Sequence, residues 1–303
     1  MQKKQYFCIE MSKKTLFYII EWSIALSACA YLVWRLATYE DYPALGATLG
    51  AMSWPQWLTI GVCVVLMPLN MTIESWRWKT LVPMSWREAH KQVYYSKLAG
   101  LITPWRLGEY PARGILMEGD KSSVMPQVLA MGAVGSATMT AAIVLAGVIA
   151  LVFSPSVTAL LGDSYLYALG AVMVVLGGAY MLLPRALKKY VSVNSELLLR
   201  STGQSVVRLA CWCVQLALVL YALGAISGLP IPVTHLLIYY LLVTITPNVP
   251  IAEIGVRGAW AIVLFGSMNA AMAGVLLWAI NTLLPCLVAI VCYGKPNSIS
   301  RPY

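Results

Sequence analysis

Three groups of charged residues interrupt stretches that are otherwise apolar, and each has a spacing that chemistry can use. In the first, Asn70, Glu74 and Arg77 stand at i, i+4 and i+7, so a helix turning about 100° per residue carries all three on one narrow face. In the second, Thr103-Pro104-Trp105-Arg106-Leu107-Gly108-Glu109 runs on to Arg113. If Pro104 opens a helix, Glu109 and Arg113 are an i, i+4 pair with the acid first, the favoured order. The third group follows Thr246-Pro247-Asn248-Val249-Pro250 and repeats that pair as Glu253 and Arg257. Arg106 and Lys97 have no counterpart there and no sequence-local partner, which leaves positive charge to spare.

Arg106, Arg113 and Arg257 are suited to hold a phosphate through charge-assisted hydrogen bonds, and Glu74, Glu109 or Glu253 to meet an amine or hydroxyl. A helix that starts at proline adds free backbone amides to an anion-binding end. A second reading of the same pairs is structural: Glu109 with Arg113, and Glu253 with Arg257, neutralise each other so that bent helices can sit in lipid. Arg77 and Lys79 likewise read either as site residues or as anchors reaching the headgroups.

Other chemistries find little support. The two histidines, His90 and His235, stand far apart, and no Asp-x-x-Asp pair occurs, so neither a metal-carboxylate cluster nor a His-activated nucleophile is expected. The sequence has no Gly-x-x-x-x-Gly-Lys-Ser/Thr loop, so no nucleotide site is read. Seven cysteines lie mostly in apolar runs, Cys211 and Cys213 two apart, and show neither a disulfide framework nor zinc spacing. No cofactor, metal or catalytic residue is expected.

The elements that carry these groups must live in lipid. The chain of 303 residues is 60% hydrophobic and 11% charged, with a mean hydropathy of +0.74, whereas soluble chains carry about 25% charged residues. A crossing helix needs roughly 20 mostly apolar residues. Six stretches meet that need: residues 16–37, 57–78, 127–153, 165–183, 206–226 and 270–293. Residues 93–116 and 233–265 are apolar too, but proline, glycine and charge break each near its middle, which reads as a re-entrant helical hairpin. Leu26-Ser27-Ala28-Cys29 resembles a lipoprotein cleavage site, yet the apolar run continues through Leu32, Val33 and Trp34, so it is read as part of the first span.

Lys and Arg collect on cytoplasmic loops. Lys3, Lys4, Lys13 and Lys14 precede the first span, Arg77, Lys79, Arg87 and Lys91 are counted after the second, Arg185, Lys188, Lys189 and Arg200 follow the fourth, and Lys295 and Arg301 end the chain. The alternate loops, residues 40–56, 154–164, 227–232 and 266–269, contain neither Lys nor Arg. Both termini are therefore expected in the cytoplasm, and His90 and His235 at opposite membrane faces. The net charge of +9 reads as this topology signal plus attraction to anionic lipid, with no nucleic-acid partner.

The two broken stretches also align with each other. Tyr94-Tyr95, Ile102-Thr103-Pro104 and Glu109-x-x-x-Arg113-Gly114 match Tyr239-Tyr240, Ile245-Thr246-Pro247 and Glu253-x-x-x-Arg257-Gly258. The same offset maps spans one, two and three onto four, five and six, with opposite direction through the membrane. The expectation is an all-α polytopic protein, one integral membrane domain over residues 1–303, built as an inverted repeat of residues 15–153 and 162–293. Broken helices meeting near the midplane of such repeats are a transporter design.

These motifs resemble the membrane domain of lysylphosphatidylglycerol synthases and the related stand-alone flippase-like proteins. The likeness rests on Asn70-x-x-x-Glu74-x-x-Arg77-Trp78, on Pro104-x-Arg106-x-Gly108-Glu109-x-x-x-Arg113, and on Pro247 to Arg257 ending Ile254-Gly255-Val256-Arg257. One departure is visible: the family pattern continues Gly-Val-Arg-Glu, whereas Gly258 follows Arg257 here and the acid comes earlier, as Glu253. The resemblance implies movement of a lipid between leaflets of the cytoplasmic membrane, with Asn70, Glu74, Arg77, Arg106, Glu109, Arg113, Glu253 and Arg257 binding the headgroup. Phospholipid, aminoacylated lipid and polyprenyl-phosphate lipid all fit. The soluble aminoacyl-transferring domain of the synthases is not expected, since the sequence ends ten residues after residue 293. The alternatives are an accessory subunit presenting lipid to a separate synthase or glycosyltransferase, and an embedded lipid-modifying enzyme.

Overall fold

A computed structural model describes residues 52–103, 106–117, 120–154, 185–226, 233–246 and 250–293, with a few isolated positions besides. The expected spans at 16–37 and 165–183, both chain termini, and Pro104 and Pro247 lie outside the described residues. Among the described residues every element is helical: α1 (Trp54–Leu81), α2 (Trp86–Ile102), α3 (Glu109–Ile115), α4 (Lys121–Val152), α5 (Ser195–Ala222), α6 (Val233–Ile245), α7 (Pro250–Phe265), α8 (Met268–Trp278) and α9 (Leu284–Tyr293). A π-helical turn, Ala279–Leu283, joins α8 to α9 without a break.

Four of these stretches are long and apolar enough to cross a membrane: Trp54–Leu81, Ser122–Val152, Ser195–Ala222 and Met268–Tyr293. Their ends are set by capping rather than by hydropathy. Asp120 caps α4 through the Ser122 amide, and Asn194 caps α5 by accepting from the Leu197 amide at 2.8 Å. Both helices therefore begin before their apolar stretches do, α5 by eleven residues relative to the expected start at 206. Its first turns carry Ser201, Gln204, Ser205 and Arg208, polar groups that are nevertheless buried.

The two broken stretches each form two helices. Thr103 ends α2 with its hydroxyl donating to the Ala99 carbonyl at 2.7 Å, and accepts the Gly108 amide at 2.9 Å, which folds the chain back toward α3. Thr246 follows α6 with its hydroxyl donating to the Leu242 carbonyl at 2.6 Å, and accepts the Trp260 indole N–H of α7 at 2.9 Å. Within the first break Arg106 has φ 55°, a left-handed conformation that a side chain with a Cβ adopts at a cost.

Packing is reciprocal. The long helices α1 and α5 lie against each other; α2 packs on α9 while α6 packs on α4; α3 packs on α4 while α7 packs on α8. Glycines allow the close approaches: a Cβ on Gly147 of α4 would lie 2.5 Å from the Leu241 Cβ of α6, and one on Gly274 of α8 would lie 3.0 Å from the Arg257 carbonyl oxygen of α7. Among the described residues the main apolar core runs from Met71 and Trp78 through Leu216 and Tyr239 to Leu277, with smaller clusters around Val144, Val148 and Leu241 and around Ile262, Met268 and Ala271. The charged groups are buried among the same helices.

Candidate functional site

Helix α1 delivers Asn70, Glu74 and Arg77 to one buried face, as their spacing predicts: Glu74 is 2% exposed and Arg77 3%. Arg77 is therefore not an anchor at the headgroups. Its Nη2 donates to Glu74 Oε2 at 2.7 Å and its Nη1 to the Gly135 carbonyl at 2.6 Å. Lys79 is partly buried, with its ammonium 5.1 Å from the centre of the Trp86 ring, the geometry of a cation on an aromatic face.

Glu74 is a hub. Besides Arg77 it accepts Arg113 Nη2 of α3 at 2.9 Å and Arg208 Nη1 of α5 at 2.6 Å. Arg113 is clamped further by the Ser96 hydroxyl, and its guanidinium lies 4.7 Å from the Trp78 ring. The expected Glu109–Arg113 pair is loose at 3.8 Å. Glu109 instead takes both of its short bonds, 2.8 and 2.9 Å, from Lys97 on α2. The turn at 103–108 lays α3 back against α2, so a residue twelve positions away wins over one at i+4.

The other expected pair holds: Arg257 Nη2 donates to Glu253 Oε1 at 2.8 Å. Arg106, for which the sequence offered no local partner, lies 3.8 Å from Glu109 Oε1 three residues on, and makes its shorter contacts across to Glu253 Oε2 at 3.0 Å and to the Thr282 hydroxyl at 3.0 Å. The two breaks thus touch through Arg106 and Glu253, and all eight sequence-derived site residues belong to one connected network.

Sequence reasoning missed four of its members. Arg208 donates Nε to Asn70 Oδ1 at 2.9 Å and stacks 4.8 Å from the Trp212 ring. Asn281, on the π turn, accepts from Asn70 Nδ2 at 3.0 Å and donates to Gln215 Oε1 at 2.9 Å; Thr282 completes the set. The signal for Arg208 was present, a lone arginine inside an apolar span. Nothing in sequence marks Asn281, Gln215 or Thr282 as partners.

The network encloses a cavity of about 40 Å³ walled by Asn70, Lys97, Arg106, Arg208, Arg257, Trp278, Asn281 and Thr282 among others. Its walls offer hydrogen-bond donors to a small polar group and no thiolate or imidazole. Among the described residues, no group of three His, Cys, Asp or Glu is placed to hold a metal ion.

Fold and site together define an all-helical, multi-pass membrane protein with a charge network buried among its helices. No family model matches the chain, and no curated protein matches it.

Proposed function

We propose that the protein carries a membrane lipid between leaflets, holding the headgroup in the polar cavity while the hydrocarbon chains stay in the bilayer. One observation carries this reading: two broken helices from distant parts of the sequence meet through Arg106 and Glu253 at 3.0 Å beside a donor-lined cavity. Charges kept inside an apolar bundle are expensive, and those that persist beside a cavity mark a polar path. Lipid exchange needs no nucleophile and no cofactor, only a polar site at the right depth.

The finer architecture belongs to the same proposal: six spans and two re-entrant hairpins as an inverted repeat in the cytoplasmic membrane, both termini inside. Reciprocal packing supports it. Exchanging α2 with α6, α3 with α7 and α4 with α8–α9 turns each of the main contacts into another observed contact, and the α1–α5 contact into itself. The likeness to stand-alone flippase-like proteins points the same way, through the eight residues gathered here.

The direct test is reconstitution in liposomes carrying a fluorescent phospholipid in both leaflets. A membrane-impermeant quencher should reach more than the outer half of the label when the protein is present. Quenching that stops at the outer half, for every anionic and zwitterionic lipid tried, rejects the reading. Cysteines placed at exposed positions 153 and 188 test the topology, with labelling expected from outside at the first and from the cytoplasm at the second.

A further inference from the structure

We propose that the cavity between the two breaks takes a phosphate-type anion and turns away a cationic group, an inference that rests on the carrier reading for the source of its ligand. Among the described residues the network joins six cations, Arg77, Lys97, Arg106, Arg113, Arg208 and Arg257, to three carboxylates, Glu74, Glu109 and Glu253. Six against three leaves three positive charges in excess, at a depth where unpaired charge is costly.

The carboxylates are already spent. Glu74 gives Oε1 to Arg113 and Oε2 to Arg77 and Arg208. Both oxygens of Glu109 accept from Lys97. Glu253 gives Oε1 to Arg257 and Oε2 to Arg106. An ammonium group entering the cavity would meet no free acceptor of this kind and would add to the surplus.

Donors, by contrast, remain. Trp278 is 7% exposed and lines the cavity, and its indole N–H has no acceptor among the described residues. Neither Arg208 Nη2 nor Arg257 Nη1 has an acceptor among the described residues. A buried donor without a partner calls for a ligand, water or ion to complete it, and guanidinium forks match phosphate oxygens. The volume of about 40 Å³ equals roughly three water-sized sites at about 10–15 Å³ each. That admits the oxygens of a compact anion and leaves the rest of a lipid outside. For a lipid bearing both a phosphate and an amine, the phosphate is the group recognised.

The test is ligand-dependent thermal stability of the purified protein in an uncharged detergent. Its probes are inorganic phosphate, a short-chain phosphatidic acid, the matching diacylglycerol and a short-chain alkylammonium. Phosphatidic acid should raise the midpoint saturably, and diacylglycerol and alkylammonium should not. An equal response to inorganic phosphate assigns the site to a free anion, and a response to phosphatidic acid alone assigns it to a lipid. Trp278→Phe, which keeps the ring and removes the donor, should weaken the response about tenfold. Asn281→Asp supplies a carboxylate to the surplus, so it should raise stability without ligand and abolish the response. Stabilisation by alkylammonium that matches phosphatidic acid, or an undiminished response in folded Asn281→Asp, overturns the proposal. Binding with this signature in a protein that fails to exchange lipid would leave the anion site standing and reject the carrier reading.

Discussion

Arg106 and Glu253 are 147 residues apart in the chain and meet at 3.0 Å. Neither belongs to a long membrane-crossing helix. Each sits where a helix has been interrupted, so the contact ties together two backbone breaks rather than two rigid rods. Arg106 makes it from a left-handed backbone, φ 55°, and strain of that kind persists where surrounding contacts over-determine it.

That strain can be separated from the charge. Arg106→Gly and Arg106→Ala both delete the guanidinium and its bond to Glu253, but only glycine occupies positive φ freely. The glycine variant should be more stable than the alanine variant by about 1 kcal/mol, read as the difference in melting midpoint. Equal midpoints, or a more stable alanine variant, would show that the turn relaxes when the side chain goes.

Glu74 should tolerate neutralisation least. It serves three arginines from three helices, and removing a buried counter-charge costs about 3–5 kcal/mol for a single pair. Glu74→Gln should therefore lose most of its folded, monodisperse yield, and adding Arg208→Gln should restore part of it. Wild-type yield from the single variant contradicts the hub.

A double-mutant cycle distinguishes the two possible partners of Glu109. The contact with Lys97 at 2.8 Å should couple more strongly than that with Arg113 at 3.8 Å. We expect a coupling above about 1 kcal/mol for Lys97→Met with Glu109→Gln, within the range for directly bonded groups. For Arg113→Gln with Glu109→Gln the coupling should be smaller, and the reverse order would restore the pairing that i+4 spacing suggests.

Close approach of α4 to α6 depends on a missing side chain. In Gly147→Ala the new methyl would lie 2.5 Å from the Leu241 Cβ, an atom fixed to the backbone, so the helices must separate. Overpacking of this kind costs about 1–3 kcal/mol. Leu241→Ala leaves that Cβ in place and relieves only the contacts farther out, 3.1 Å to Cγ and Cδ2, so it should rescue at most a fraction. An unchanged melting midpoint for Gly147→Ala would mean that the two helices are free to slide.

What could be read in advance was what is local. The shared face of Asn70, Glu74 and Arg77 follows from helix geometry alone, and the break at Thr103 from the glycine and prolines around it. Partner choice was not legible, because it is decided by packing between helices. Spacing favours Arg113 for Glu109, yet the fold-back at Gly108 brings Lys97 closer, and Arg106 finds Glu253 only across the bundle. Arg208 escaped for a different reason: averaging hydropathy over a span dilutes one charge among twenty apolar neighbours. The same averaging trimmed α5, whose first turns are polar yet buried against other polar groups.

The hub at Glu74 also constrains the order in which this protein can be made. Helix α1, already carrying Arg77 beside Glu74, is synthesised well before α5, so the carboxylate waits in the bilayer for an arginine that has yet to leave the ribosome. An arginine at the centre of an isolated helix resists insertion by about 2.5–3.5 kcal/mol, and Glu74 offsets part of that cost for Arg208 if α5 enters where the carboxylate can receive it. Helix α5 is in this sense a late passenger whose entry into the membrane is eased by a seat kept for it by the first half of the chain.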